Sequence, residues 1–386
     1  MPVLNRIASY AEEMKTWRRH LHAHPELSFD CQQTAAFITA RLTEFGVDEI
    51  HPGIATSGIV AIINGQRPGP TIGLRADMDA LPILEATGVP HASTIPGKMH
   101  ACGHDGHVTM LLGAAKYLAE TRNFAGRVAL IFQPAEEDAA GGEVMVKAGI
   151  MDRFAITQVY GIHQEPNMPL GWLLTTPGPF MAAVDTATVT VTGKGGHAAY
   201  PDTCTDPIMP LVGMIAAMQT IIPKNLNPLD EAVVSVTVIQ AGTASNIVPD
   251  TATFSATIRS FSPKVRDTLK RRIIEIVEGH ARAYGVAAKV DYEWGYPATV
   301  NHPAETAFAL TAAGDVVGEN VDGNWPRDMG SEDFSYMLEA RPGAYLYLGT
   351  GPGPGLHSAM FDFNDEVAPI GSSFFARLVE RAQPLA

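Results

Sequence analysis

The sequence predicts an α/β protein in which a mostly parallel sheet is interrupted by an inserted α+β unit. Short β-rich runs alternate with helical patterns in the first half, which is typical of parallel sheets with crossover helices. The pattern breaks near 177–182 and again at 295–303, both rich in proline. A chain of 386 residues is also long for one core and sufficient for two. We therefore predict one domain made of 1–181 and 295–386, with an inserted domain at 182–294.

The elements before the insertion are short apolar strands and amphipathic helices. The clearest helix is His107–Glu120, whose apolar residues recur at helical spacing on one face. The strand Arg127–Phe132 is followed closely by Pro134, which cannot continue a ladder of hydrogen bonds. The predicted helices are 6–22, 32–45 and His107–Glu120, and the predicted strands are Ile59–Ile63, Thr71–Arg75, Arg127–Phe132 and Gln158–Ile162.

The inserted segment predicts one sheet covered by two helices. Its predicted strands are Thr186–Thr192, Ala232–Gln240, Thr251–Arg259 and Ala287–Tyr292, and its predicted helices are Pro207–Ile222 and Pro263–Tyr284. The chain then returns to the first domain. The elements predicted there are the helices Pro303–Glu319, Glu332–Glu339 and Asp365–Ala382 and the strand Ala344–Leu348.

Composition and charge exclude several classes of protein. Hydrophobic residues make up 46% of the chain and charged residues 18%, which indicates a globular protein. A net charge of -14 disfavours nucleic acid and anionic membranes as partners, because both need a positive face. Three widely spaced cysteines indicate a reducing compartment. Since no signal peptide and no run of about 18 apolar residues is found, we expect a soluble cytoplasmic protein.

Four short segments concentrate metal-binding residue types, and three of them follow a predicted strand, where open α/β sheets build their sites. In HACGHDGH, 100–107, Cys102 and His104 lie two residues apart in a loop before a helix, so both can aim at one point. A thiolate with an imidazole is a strong pair for first-row metals. Three histidines and a cysteine within eight residues make a loop of solvated histidines the less favoured interpretation.

The other three segments give weaker signals that gain weight from their position. Glu136 and Glu137 follow the strand ALIF and point in different directions, so one can bind metal while the other serves as a general base. His163 ends an apolar strand, and His357 closes a loop rich in glycine and proline. Each of these alone is commonly structural or solvated. Five ligand atoms in all exceed the need of one tetrahedral zinc and indicate two ions sharing a bridging water.

The inserted unit adds three candidates. His197 lies in a glycine-rich turn, GKGGHAAYP, where a structural role would rarely need so much glycine. Asn246 lies in the loop SNIVP, where an ordinary Asx-turn is the alternative. Arg259 ends the strand TATFSATIR, and such an arginine is commonly a solvated cap. A guanidinium facing a cleft could instead hold a carboxylate by two parallel hydrogen bonds.

The motifs also occur in a characteristic order. They are ADMDALP (76–82), HACGHDGH, QPAEE, GIH, GKGGHAAYP, SNIVPD, GSEDF (330–334) and LHS. This order, spanning nearly the whole chain, resembles the metal-dependent aminoacylase/carboxypeptidase superfamily. Within it the chain is similar to the branch of hippurate hydrolases and plant auxin–amino-acid conjugate hydrolases.

The resemblance implies roles for the candidate residues. It implies a two-ion site with Glu136 as the general base and with these ligands: Cys102, His104, Glu137, His163 and His357. It also implies that the inserted unit is a lid or dimerisation domain. His197 and Asn246 would then reach the active site of the partner subunit, while Arg259 holds the substrate carboxylate. The wider superfamily has a His-x-Asp ligand pair where this chain has Asp77 and Asp79, so that pair is not carried over, and Cys102 replaces one of its members.

The function that follows is hydrolysis of an N-acyl amino acid (acetyl, benzoyl or similar) by a homodimer or a dimer of dimers. We expect two divalent cations per subunit, with Mn²⁺ or Zn²⁺ as the first choice. Co²⁺ and Ni²⁺ are the alternatives, because the ligands suit all four metals comparably. One alternative is an aminopeptidase or dipeptidase of the same superfamily, which needs an acidic receptor for a free amine. Another is a non-catalytic metal-binding scaffold, in which Glu136 would be dispensable.

Overall fold

A computed structural model describes residues 4–385, so the first three residues and the last residue of the predicted first domain lie outside the described part. The α-helices are α1 Asn5–Ala8, α2 Ala11–Ala23, α3 Gln32–Glu44, α4 His104–Thr121, α5 Gly141–Lys147, α6 Ile150–Arg153, α7 Ile208–Met218, α8 Ile221–Asn225, α9 Pro263–Tyr284, α10 Pro303–Val317, α11 Ser335–Ala340 and α12 Ala368–Ala382. Short 3₁₀ turns occur at Pro201–Thr203 and Asp365–Val367.

The strands follow the same alternation along the chain. They are β1 Glu49–Ile54, β2 Gly58–Asn64, β3 Thr71–Asp77, β4 Arg127–Gln133, β5 Ile156–Glu165, β6 Leu173–Leu174, β7 Gly178–Met181, β8 Ala183–Thr192, β9 Gly196–His197, β10 Ala232–Ala241, β11 Ile247–Val248, β12 Thr251–Ser260, β13 Ala287–Trp294, β14 Thr299–Asn301, β15 Val321–Asp322 and β16 Gly343–Gly349.

The described chain divides into two compact units. The first comprises residues 4–180, 299–326 and 333–385, and the second comprises 181–298 and 327–332. The short return at 327–332 was not part of the inserted domain predicted from the sequence, because it carries no periodic pattern that distinguishes it from its neighbours.

An eight-stranded mixed sheet forms the centre of the first unit, in the order β1-β2-β4-β3-β5-β16-β6-β15. The four middle strands β4, β3, β5 and β16 are parallel to one another. β1 and β2 extend one edge in antiparallel pairing. β3 and β16 are buried at every residue, as is typical of parallel strands covered on both faces. The α/β class predicted from the sequence is confirmed.

Helix α4 lies in the main core of this unit. Almost every residue of its first three turns is buried, and it packs together with α2 and α12. Gly106 and Gly113 allow this close packing, because a Cβ at either position would lie within 2.4 Å of a side-chain atom of Phe363 or Ser372. The burial therefore fixes α4, and with it the loop that precedes its first residue, against the sheet.

The second unit is an antiparallel sheet covered by helices. Its four strands have the order β10-β12-β8-β13, and alternate residues of β12 are buried among apolar side chains of α7 and α9. Ser262 caps α9 by accepting a hydrogen bond from the Val265 N–H at 3.3 Å, and Gly285 ends that helix with a φ of 68°. A separate two-stranded ribbon pairs β9 with β11.

Three predicted helices differ from those observed. The predicted helix Pro207–Ile222 is divided into α7 and α8, and at the break the Thr220 hydroxyl donates to the Ala217 carbonyl at 2.7 Å. The predicted helix 6–22 is broken into α1 and α2, and at the break the Ser9 hydroxyl donates to the Arg6 carbonyl at 2.6 Å, a local bond that competes with helical pairing. The predicted helix Glu332–Glu339 starts only at Ser335. Asp333 instead uses its carboxylate to accept hydrogen bonds from Arg75, Gln133 and the Gly142 N–H. Among residues 4–385, no helix has the length and apolar character needed to cross a membrane.

The close pairing of β16 with β5 predicts that replacing Gly343 by a residue with a side chain destabilises the protein. A Cβ at Gly343 would lie 1.9 Å from the backbone oxygen of Val159, which cannot move without disturbing the sheet. We expect Gly343→Ala to lower the free energy of unfolding by about 1–3 kcal/mol. The matched control is Gly314→Ala in α10, where no atom lies within 4 Å and where alanine should stabilise the helix by about 0.5–1 kcal/mol. Urea unfolding of the two variants measures the difference, and equal stabilities would contradict the prediction.

Candidate metal centre

The candidate ligands of the first unit follow adjacent parallel strands. β3 ends at Asp77, β4 ends three residues before Glu136, and β5 carries His163 near its end. β16 leads into the loop that bears His357. Because parallel strands end at the same edge of a sheet, residues far apart in sequence meet there.

His104 is the first residue of α4 and is buried. Gly103 before it has a φ of 85°, a left-handed conformation that glycine adopts without strain. His104 Nδ1 lies 3.5 Å from Asp79 Oδ1, and Nε2 lies 3.7 Å from Asp77 Oδ2 and 3.8 Å from Glu137 Oε1. Within residues 4–385 neither ring nitrogen has a hydrogen-bond partner. A buried imidazole needs another partner, and because three carboxylates also surround this one, a cation would provide it.

Cys102 and His163 face each other, with 3.4 Å between Sγ and Nε2. His163 Nδ1 lies 2.5 Å from the carbonyl oxygen of Gln164. Because a carbonyl only accepts, Nδ1 carries the proton and donates it, which leaves the lone pair of Nε2 towards the thiol. Burial lowers the pKa of His163 well below its usual range, so the ring is neutral, as a metal ligand must be. The Gln164 side chain also donates to the Cys102 carbonyl at 2.9 Å.

Glu136 and Glu137 are held by their backbone. Asp79 accepts the N–H of Glu136 on one carboxylate oxygen and the N–H of Glu137 on the other, each at 3.1 Å. The preceding Ala135 has a φ of 56°, a left-handed conformation uncommon for alanine. Glu137 Oε1 has no hydrogen-bond partner in the described chain. The turn therefore presents two adjacent carboxylates, and one of them has an unused oxygen beside His104.

His357 approaches the same carboxylate from the opposite loop. Its Nε2 lies 3.4 Å from Glu137 Oε2, and its side chain is 54% exposed. The backbone N–H of His357 donates to the Ala101 carbonyl at 2.8 Å, next to Cys102. This hydrogen bond joins the loop after β16 to the loop before α4. Because its side chain is half exposed, His357 is the exposed member of an otherwise buried group.

The acidic surroundings shift the protonation of the two central groups. Burial lowers the pKa of His104, but the charges around it, that of Asp77 first, raise the pKa overall to about 10. Burial, reinforced by Glu137 and Glu136, raises the pKa of the Cys102 thiol well above its usual range. Both groups therefore hold protons at neutral pH, and a cation must displace those protons to bind.

The donor atoms form overlapping groups suited to metal ions. In each group the candidate atoms lie within 4.8 Å of one another, and three groups contain only residues proposed from the sequence. They are Cys102, His104 and His163; Cys102, Glu137 and His357; and His104, Glu136 and Glu137. Sulfur, imidazole and carboxylate ligands are those that Zn²⁺ and related ions take. Since two of the groups share Cys102, the donor set fits metal binding at more than one position.

The sequence did not reveal that several neighbouring residues hold the candidate ligands in position. Asp79 holds the two glutamates, Gln164 holds Cys102, and His107 lies 2.5 Å from a buried Asp77. The signal available for this network was Arg75, the last residue of the predicted strand Thr71–Arg75, which is followed closely by two possible acidic partners, Asp77 and Asp79.

The three candidates of the inserted segment belong to the second unit. His197 in β9 pairs with Ile247 in β11, and the Asn246 carbonyl accepts from the Ala198 N–H at 3.0 Å. His197 and Asn246 are therefore neighbours, and both are exposed. Arg259 lies near the end of β12 and donates from Nη1 to Ser331 Oγ at 3.0 Å. Burial lowers the pKa of Arg259, but the guanidinium remains charged at neutral pH.

Comparisons with known proteins show the family to which the chain belongs. The sequence model of peptidase family M20/M25/M40 matches residues 73–381. The chain is 41% identical to an N-acetyl-L-cysteine deacetylase of Bacillus subtilis, over 95% of this chain and 87% of that protein. It is 37% identical to a hippurate hydrolase of Campylobacter jejuni, over 98% of both chains. A solved structure of the Bacillus subtilis YXEP protein, described as a dinuclear metal binding peptidase of family M20, superposes with a TM-score of 0.83 at 33% identity, over 96% of this chain and 98% of that one. The resemblance stated from the motifs is confirmed, and the chain belongs to peptidase family M20/M25/M40.

Proposed function

We propose that this chain is a metal-dependent amidohydrolase that cleaves N-acyl amino acids into a carboxylic acid and a free amino acid. The observation that carries the proposal is the turn in which Asp79 holds Glu136 and Glu137 beside the buried His104. It places a candidate base next to a candidate ligand. The names of the relatives, a deacetylase of an N-acetyl amino acid and a hippurate hydrolase, support this class of substrate.

The ligands that we propose for two divalent cations are Cys102, His104, Glu137, His163 and His357. Mn²⁺ and Zn²⁺ are favoured over Co²⁺ and Ni²⁺, although the donor set suits all four. When bound, the cations would polarise the scissile carbonyl and lower the pKa of a bound water molecule.

Glu136 is the proposed general base. Its carboxylate would take a proton from the attacking water, whose oxygen forms the new bond to the carbonyl carbon. As the C–N bond breaks, Glu136 would return that proton to the leaving nitrogen, so that a carboxylic acid and a neutral amine result and Glu136 is again a carboxylate. Glu136 is only 7% exposed, and burial limits the exchange of this proton with solvent.

Residues of the second unit are proposed to bind the rest of the substrate. Arg259 would hold the α-carboxylate, since its guanidinium makes one hydrogen bond to Ser331 and no ion pair within the described chain. Its other N–H groups can then serve a carboxylate. His197 and Asn246 would donate to the carbonyl oxygen as negative charge develops on it, in the partner subunit's site.

A homodimer, or a dimer of dimers, is the proposed assembly, with the second unit as the dimerisation or lid domain. β10 is an edge strand, and Val238 and Ile239 on it are 45% and 59% exposed. An apolar edge of this kind favours pairing with another copy in a two-fold arrangement. We also propose a cytoplasmic location, which the three free cysteines support.

The reaction class can be tested with a single assay panel. N-acetyl, N-benzoyl and N-indoleacetyl amino acids are compared with dipeptides, in the presence of Mn²⁺ or Zn²⁺. We expect turnover of the N-acyl compounds and little hydrolysis of dipeptides with a free amine. Preference for dipeptides would instead support an aminopeptidase, and metal binding without any turnover would support a scaffold.

The division of roles at the metal centre predicts that two substitutions fail differently. Glu136→Gln should lower kcat by about 10²–10⁴-fold and leave the metal content near that of the wild type, because only proton transfer is lost. Cys102→Ala should lose metal as well as activity. Metal analysis beside kinetics tests both variants. Substantial activity in Glu136→Gln would exclude Glu136 as the base. Normal metal content in Cys102→Ala would show that Cys102 is a buried core thiol and not a ligand.

The proposed carboxylate site predicts that Arg259 determines the need for a free α-carboxylate. Loss of a charge-assisted pair should weaken binding of the N-acyl amino acid by about ten- to a hundredfold. The wild type should discriminate against the amide of the same compound, and Arg259→Ala should discriminate much less. Arg259→Lys is the matched control, because it keeps the charge without the bidentate geometry. If all three proteins discriminate equally, the carboxylate is bound elsewhere.

The proposed exchange of residues between subunits predicts complementation. His197→Ala and Glu136→Gln, each inactive alone, are mixed under conditions that allow subunit exchange. One site of a mixed dimer then combines the intact Glu136 of one chain with the intact His197 of the other, so a fraction of wild-type activity should return. Each variant mixed with itself is the control. Heterodimers that form without recovering activity would show that His197 serves its own subunit or is structural.

A further inference from the structure

His107 differs from His104, three residues before it, in that both of its ring nitrogens are engaged. Nδ1 lies 2.5 Å from Asp77 Oδ1, and Nε2 accepts the backbone N–H of Gln164 at 2.9 Å. Because a backbone N–H can only donate, Nε2 must be unprotonated, and Nδ1 therefore carries the hydrogen that it donates to Asp77. The two contacts define the tautomer of a ring that is 1% exposed.

Asp77 is fixed in turn by a buried arginine. Arg75 Nη1 donates to Asp77 Oδ2 at 2.7 Å, and both side chains are almost completely buried. Each carboxylate oxygen of Asp77 thus has a partner within the protein. Asp77, His104 and His107 do form a group with the spacing of metal ligands, but a metal ion there would have to displace both hydrogen bonds of His107. His104, whose nitrogens make none, faces no such competition.

The hydrogen bond from Gln164 connects His107 to a proposed ligand. Gln164 gives its N–H to His107 Nε2 and accepts on its carbonyl oxygen from His163 Nδ1. The Gln164 backbone therefore sets the rotation of the His163 ring and directs Nε2 towards Cys102. A continuous series of buried contacts runs from Asp77 through His107 and Gln164 to His163.

We infer that His107 is a positioning residue, which holds the Gln164 backbone so that His163 Nε2 is presented for metal binding, and that it is not itself a ligand. The inference rests on the metal site proposed above. Partners that orient a metal-binding histidine usually bond to its second ring nitrogen directly, and their loss typically costs about 10–100-fold in metal affinity. Here His107 orients His163 indirectly, because the Gln164 backbone lies between the two rings and is hydrogen-bonded to both.

Two substitutions at His107 separate its two hydrogen bonds. In His107→Asn the side-chain amide reaches the position of Nδ1 and can still donate to Asp77, but nothing accepts the Gln164 N–H. In His107→Gln an oxygen can reach the position of Nε2 and accept that N–H, while the bond to Asp77 is lost. His100→Gln is the matched control, since His100 is equally buried in the same segment and neither of its nitrogens has a hydrogen-bond partner among residues 4–385.

The measurements are Zn²⁺ titration of the metal-free protein against a chromophoric chelator and hydrogen exchange of the Gln164 amide without metal. For His107→Asn we expect about 10–100-fold weaker Zn²⁺ binding and about tenfold faster exchange of this amide. His107→Gln should lie nearer the wild type in both. His100→Gln should show wild-type affinity and exchange, even if its thermal stability falls.

Three other outcomes would overturn the inference. If His107→Asn keeps wild-type affinity and exchange, His107 does not position this backbone. If the two His107 variants each lose one equivalent of Zn²⁺ with the Gln164 amide unchanged, His107 is a ligand. If His100→Gln weakens Zn²⁺ as much as His107→Asn does, the effect belongs to any buried histidine of this segment. A wild-type protein that binds neither Zn²⁺ nor Mn²⁺ would refute the proposed metal site instead, and amide exchange would still decide whether His107 holds Gln164.

Discussion

The buried ion pair between Arg75 and Asp77 is the interaction on which the candidate metal centre depends. Both charges are buried in β3, and a buried charge is tolerated only when it is paired and hydrogen-bonded. Arg75 meets this condition by binding Asp77 at 2.7 Å and Asp333 at 2.9 Å. Asp333 also accepts from the Gln133 side chain and the Gly142 N–H. One guanidinium thus joins the ends of β3 and β4 to the segment before α11. The turn that carries Glu136 and Glu137 follows the end of β4 and therefore begins next to this network.

Much of the fold could be predicted from periodicity, because buried parallel strands and amphipathic helices leave regular patterns. The least regular elements were missed. β1 contains Pro52 and Gly53 and pairs through an irregular register, so its sequence has no strand pattern to detect. The helix expected at Glu332 begins only at Ser335 because Asp333 satisfies the distant Arg75. Such long-range pairing has no local signature.

The types of candidate ligand could be predicted from the sequence, but the residues that hold those ligands in place could not. Cys102, His104 and the adjacent glutamates were detectable because several metal-binding residues lie close together in sequence. Gln164 and His107 could not be assigned a role in this way, since the hydrogen bonds from Gln164 to His107 and to Cys102 join residues that lie 57 and 62 positions apart in sequence. Glutamine and histidine are also common outside sites. The roles of these residues become visible only in the folded protein, where the ends of the parallel strands lie close together.

The left-handed conformation of Ala135 affects both the stability of this turn and the direction of Glu136. A left-handed φ of 56° costs a residue with a side chain about 1–2 kcal/mol, which glycine would avoid. Glycine would, however, also widen the range of conformations open to the turn, and so loosen the direction in which Glu136 points. A protein retaining alanine here accepts local strain in exchange for a narrower distribution of carboxylate positions. Thermal stability and a well-aimed carboxylate therefore place opposite demands on this one residue.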